Sequence, residues 1–115
     1  MLFRSYNGFP RGVNDIKKRL EDREEKLRYV VHAEMNCIYN ASLTGVSLKG
    51  AELYVFGLPV CSECAKGVVQ VGISRVNMCY PVAIDDKWRD SAQLSQKIFN
   101  EAGVKTYAYK EADLD

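Results

Sequence analysis

The sequence has little excess charge, no long apolar run and one histidine, and each shortage narrows what the chain can be. Sixteen basic residues stand against fifteen acidic ones, a net charge of +1. Proteins that grip a long nucleic acid normally present a basic face, so this balance favours a small ligand over a polymer. No stretch reaches the length of a membrane span, which needs roughly 20 apolar residues. The opening "MLFRSYNGFP" breaks into polar and turn residues before an apolar core of signal-peptide length can form. The expected location is therefore the cytoplasm. Repeats, low-complexity segments and linkers are also missing, and 115 residues fit one domain spanning 1–115.

What is present is an ordinary globular composition, 47% hydrophobic and 27% charged, enough for a real core. Four cysteines would allow two disulfides, but Cys61 and Cys64 form a CxxC. In a reducing compartment that spacing points to metal or redox chemistry. Along the chain, "LFRSY" reads as a short strand and "YNGFPRGVND" as turns. "DIKKRLEDREEKLR" (15–28) reads as a solvated helix supported by i,i+4 charge pairs. A helix over 32–43 has apolar residues around much of its circumference and is expected to pack deep in the domain. Strands follow at 51–57, 74–80 and 104–109, and helices at 61–72 and 85–103. In the last helix Trp88, Ala92, Ile98, Phe99 and Ala102 are expected on one side. Alternation of this kind predicts an α/β protein, a three-layer α/β/α sandwich with at least part of its sheet parallel.

The lone histidine, in "VVHAEMNCIYNA" (30–41), stands two residues before Glu34 in an otherwise apolar run. Burying a titratable ring and a carboxylate there costs free energy unless a partner compensates them. The CxxC supplies that partner. Cys61 and Cys64 open a helix, whose N-terminus favours the thiolate form that zinc requires. One nitrogen and two sulfurs leave the fourth position of a tetrahedral Zn2+ open, as in catalytic rather than structural sites. From Glu34 a carboxylate can reach that position, accept a proton from water and pass it to a leaving group. Taken singly, the histidine could be a core residue and the CxxC a redox pair or half a zinc knuckle. A redox site would leave His32 and Glu34 unexplained, and a structural zinc would need Cys37 or Cys79 as a fourth ligand. Those two cysteines read instead as small buried hydrophobes.

H-x-E with P-C-x-x-C is the recognised signature of zinc nucleobase deaminases. The wider pattern resembles the deoxycytidylate (dCMP) deaminase branch of the cytidine deaminase superfamily, carried by "YNGFPRG", "HAEMN", "CAKGVVQVGI" and the late "W…S…FNEAGV". The resemblance implies the cytidine deaminase-like fold with a mixed sheet, and hydrolysis of dCMP to dUMP and ammonia in pyrimidine deoxynucleotide metabolism. It matches His32, Cys61 and Cys64 to the zinc ligands and Glu34 to the proton shuttle. Asn7 matches the residue that contacts the sugar, the Ala33 backbone the contact to the base carbonyl, and Arg11 is the candidate for the 5′-phosphate. It also implies a homo-oligomer and, as in some relatives, control by dCTP and dTTP. Three departures stand out. Val60 separates Pro59 from Cys61, Ser5 replaces the usual glycine before "YNG", and the helix and central strand usual upstream of "YNG" are missing. The competing readings are deamination of cytidine, deoxycytidine or a related base, and an inactive zinc-binding assembly subunit.

Overall fold

The computed structural model describes residues 5–57, 59–80 and 86–110. The elements run α1 (Lys17–Glu21), α2 (Arg23–Tyr29), α3 (Ala33–Leu43), β1 (Glu52–Phe56), α4 (Ser62–Gln70), β2 (Arg75–Tyr80), α5 (Asp86–Ala102) and β3 (Lys105–Lys110). The strands pair in sequence order, β1-β2-β3, and both pairings are parallel. Parallel neighbours cannot be joined by a tight turn, so α4 and α5 serve as the crossovers.

Burial follows from alternation. Along β1, Leu53 and Val55 point into the core while Glu52, Tyr54 and Phe56 stay exposed. Register places Val76 and Met78 of β2 beside Leu53 and Val55, on the same face. Against that face pack Ala65 and Val68 of α4 and Phe99 of α5, each fully buried. Helix α3 joins the core at its edge through Ile38, with Met35 packed alongside.

The fold departs from the pattern expected of the sequence at several points. The described strands form a wholly parallel sheet, and α3, α4 and α5 pack on the face that carries Leu53 and Val55, so two of the three expected layers are seen among the described residues. Residues 2–4 of the expected first strand lie outside the described residues, and Ser5 and Tyr6 are not in a strand. The nearest pairing is an antiparallel bridge between Gly8 and Val31. The 15–28 segment is solvated as expected but is two helices, because the Asp22 carboxylate accepts from the N–H groups of Glu24 and Glu25 and starts a new one. Helix α3 is less deeply packed than its composition predicts. Only Ile38 and Ala41 are fully buried, since one neighbouring helix, α4, covers it rather than a surrounding core. In α5 the stripe centres on Ser95 and Phe99, while Ala102 is exposed. No helix among the described residues is long and apolar enough to cross a membrane.

Candidate metal centre

Two helix starts build the site. His32 is the N-cap of α3, with extended backbone (φ −65°, ψ 149°), and its side chain makes no capping hydrogen bond. The imidazole is therefore available to turn towards α4. Cys61 is the N-cap of α4, and its sulfur accepts from the Cys64 N–H at 3.4 Å. His32 Nδ1 lies 3.5 Å from Cys61 Sγ and 3.4 Å from Cys64 Sγ. All three donor atoms fall within 4.8 Å of one another. A tetrahedral zinc with ordinary Zn–S and Zn–N lengths would hold such nitrogen and sulfur atoms about 3.6 Å apart. The donor set and its spacing thus fit Zn2+.

Close approach of α3 and α4 makes this meeting possible. Gly67, in the interior of α4, faces Met35 so tightly that an added Cβ would lie 2.7 Å from the Met35 sulfur. A glycine costs helix propensity there, and in return the two axes come together near the end that carries the ligands.

The two sulfurs share one proton. Cys61 is pulled down to about 5, first by its hydrogen bond with Cys64 and further by the Cys64 N–H and His32. Cys64 is pushed up, chiefly by that same bond and then by burial, so the proton of the pair stays on it. Glu34, in the first turn of α3, has its carboxyl raised above the usual range by burial, with a Cys64 hydrogen bond and His32 working against the shift. A carboxyl of this kind holds a proton more readily than an exposed one.

Other expected contacts are distributed differently. Asn7 Oδ1 accepts from the Ala33 N–H at 2.7 Å, and the Ala33 carbonyl accepts from the Ser5 hydroxyl at 2.6 Å. Asn36 Nδ2 donates to the Tyr6 carbonyl at 2.8 Å. The "SYNG" segment is thereby strapped across the first turn of α3, and Asn7 and Ala33 lie beside His32 and Glu34. In this arrangement the Ala33 amide already has an acceptor, which a base carbonyl would have to replace or share. Arg11 is elsewhere. Its guanidinium donates to Asn40 Oδ1 at 2.9 Å, eight residues along α3 from His32, or about 12 Å at a helical rise of 1.5 Å. Cys37 and Cys79 are half-buried and outside the cluster.

Sequence reasoning missed two residues, Ser91 and Ser95 of α5. Both bond to the backbone on either side of Cys61. The available signal was a hydroxyl pair at i,i+4 on the face that carries Phe99, where a buried polar group requires a partner.

Comparison with known proteins agrees with this geometry. Residues 1–80 match the family model described as the cytidine and deoxycytidylate deaminase zinc-binding region. Human deoxycytidylate deaminase is 40% identical over 106 residues, covering 86% of this chain and 55% of that protein. The mouse deoxycytidylate deaminase is 37% identical over 106 residues, with the same coverage of 86% and 55%. The chain thus spans about half the length of these curated relatives. Among solved structures, the dCMP deaminase of cyanophage S-TIM5 in complex with dCMP and dUMP superposes with a TM-score of 0.63 at 21% identity, over 91% of this chain and 70% of that one. At that identity the likeness establishes the fold.

Proposed function

Because the chain belongs to the cytidine and deoxycytidylate deaminase family, we propose that it is a zinc-dependent hydrolase that converts dCMP to dUMP and ammonia. One observation carries the reading: a His-Cys-Cys donor set on two helix starts with a half-buried carboxyl, Glu34, in the first turn of one of them. His32, Cys61 and Cys64 would hold the metal. Zinc, when bound, supplies a Lewis acid that lowers the pKa of water at its open position.

The protein's own groups perform the proton transfers. Glu34 takes a proton from the water that attacks C4 of the cytosine ring and delivers it to N3. It then takes the remaining proton from the new C4 hydroxyl and hands it to the exocyclic nitrogen as the C4–N4 bond breaks and the C4 carbonyl forms, so that water and dCMP become dUMP and ammonia. The burial that raises its carboxyl keeps the neutral form accessible for the second transfer. Asn7, fixed against the start of α3, would orient the sugar, and the Ala33 amide the base carbonyl. For the 5′-phosphate, Arg11 would have to leave Asn40, so we assign it only if the side chain swings towards the site when nucleotide binds.

We read residues 1–115 as one domain that works in the cytoplasm on a free nucleotide. A homo-oligomer is part of the same reading. It is supported by the outer face of the sheet, where Tyr54, Phe56, Tyr107 and Tyr109 are exposed and offer apolar surface for a second copy to bury.

The test follows absorbance as zinc-loaded protein acts on dCMP, with deoxycytidine in parallel and with dCTP or dTTP added to detect effectors. Rapid loss of dCMP with at least about tenfold slower loss of deoxycytidine is expected, a phosphate preference of about 1.4 kcal/mol or more. Equal rates would assign the site to a nucleoside, and zinc binding without turnover of either would favour the assembly-subunit reading.

A further inference from the structure

The sequence motif "W…S…FNEAGV" falls on α5, which supplies no metal ligand, yet two of its side chains reach the ligand-bearing turn. Ser95, 3% exposed, donates its hydroxyl to the Val60 carbonyl at 2.8 Å. One helical turn earlier, the Ser91 hydroxyl accepts from the Ser62 N–H at 2.9 Å and lies 3.4 Å from the Ser62 hydroxyl. The Val60 carbonyl belongs to the peptide plane entering Cys61, and the Ser62 N–H to the plane leaving it. Both planes that meet at the Cys61 Cα are therefore tied to α5. Two peptide planes fixed at one Cα fix its φ and ψ, and with them the direction in which the side chain leaves the backbone.

We infer that Ser91 and Ser95 are positioning residues for the metal site, a two-point clamp that aims Cys61 Sγ at the point it shares with Cys64 and His32. This rests on the zinc reading of the cluster. It goes further by assigning α5, a helix without ligands, a part in metal affinity. The clamp also has a local cause. Val60 stands between Pro59 and Cys61 and is 1% exposed, so its carbonyl is held in a largely buried turn where a protein donor must replace water. Ser62 is the first residue of α4, and its N–H is one of the donors that a helix leaves without an intrahelical acceptor. Ser91 supplies that acceptor from outside the helix. Cys61 is the N-cap by position, and its sulfur is occupied with the Cys64 N–H, so the cap of α4 is shared between a metal ligand and α5. Polar groups behind a ligand orient it, and their loss typically weakens metal binding about 10–100-fold.

The full chain would be titrated with zinc against a competing chelator, and the Co2+-substituted protein examined for its thiolate-to-metal and d–d absorption bands. Ser91 is half-buried and loses a single hydroxyl in Ser91→Ala, so this variant retains its packing. Ser91→Ala is expected to weaken zinc binding by about 10–100-fold and to alter the cobalt bands, whereas Ser91→Thr, which keeps the hydroxyl, restores both. Ser95→Ala should move both readouts in the same direction. A merely structural role would lower the melting temperature of metal-free and zinc-loaded protein equally and leave the cobalt bands in place. The clamp predicts that the rise in melting temperature caused by zinc shrinks. Wild-type affinity and spectrum in Ser91→Ala, or equal loss in Ser91→Thr, would overturn the inference. Wild-type protein that binds no zinc would instead overturn the metal site itself, so the two failures are distinguishable.

Discussion

At the scale of the residue, His32 shows how position decides role. A histidine inside a helix would spend its ring on packing, but as an N-cap with extended backbone it faces away from its own helix. Its ring nitrogen then sits 3.4 Å and 3.5 Å from two sulfurs contributed by the start of another helix. Neither sulfur is exchangeable for oxygen at equal strength, since thiolate is the softer and better zinc donor. We therefore predict that His32→Ala and Cys64→Ser each reduce zinc affinity by more than the roughly 100-fold upper end typical of changes behind a ligand. Zinc content after dialysis against a weak chelator measures this. Retention of stoichiometric zinc by either variant would remove that residue from the ligand set. The His32, Cys61 and Cys64 cluster, with Glu34 in the first turn of α3, was legible in the sequence because H-x-E and C-x-x-C record the local geometry of a helix start. Arg11 was not legible, because whether an exposed guanidinium faces a ligand or a neighbouring amide depends on where a loop lies. Here it lies over Asn40.

Between elements, the decisive contact is α3 on α4. Sequence periodicity placed α3, α4 and α5 within one or two residues of their observed ends, but it gave no account of how closely two helices approach. That is set by Gly67 under Met35. The two substitutions at this glycine should part company. Gly67→Ala gains up to about 1 kcal/mol of helix propensity, and the flexible end of Met35 can move aside to admit one methyl. Gly67→Leu has no such outlet. It should separate the helices, cost about 1–3 kcal/mol through overpacking and weaken zinc binding together with stability. Thermal melting and zinc titration of both variants check this, and a Gly67→Leu protein with wild-type zinc affinity would show that the spacing of α3 and α4 does not set the site. Ser91 and Ser95 were overlooked for a related reason. A serine within an amphipathic stripe reads as a weak interruption of it until the opposing backbone is known.

For the whole molecule, the outer face of the sheet is the feature that stands apart. Parallel sheets are normally covered on both faces, whereas the face carrying Tyr54 and Phe56, at 62% and 75% exposure, is open in the isolated chain. On that same face, in register between Tyr54 and Tyr107, Asn77 is buried and its Nδ2 has no hydrogen-bond partner among the described residues. The three-layer arrangement inferred from alternating helices and strands was thus legible as a pattern, but the position of its third layer was not, because composition alone does not say what covers an aromatic face. The His32, Cys61 and Cys64 cluster lies elsewhere, at the starts of α3 and α4. Whether the chain as a whole catalyses deamination is therefore a direct question for one measurement. It is the rate of dCMP loss by zinc-loaded wild-type protein and by Glu34→Gln at matched zinc content. We predict turnover by the wild type and a loss of at least about 10²–10⁴-fold in the variant, the usual contribution of a general acid–base, with zinc retained. Wild-type turnover that survived the substitution unchanged would contradict the account.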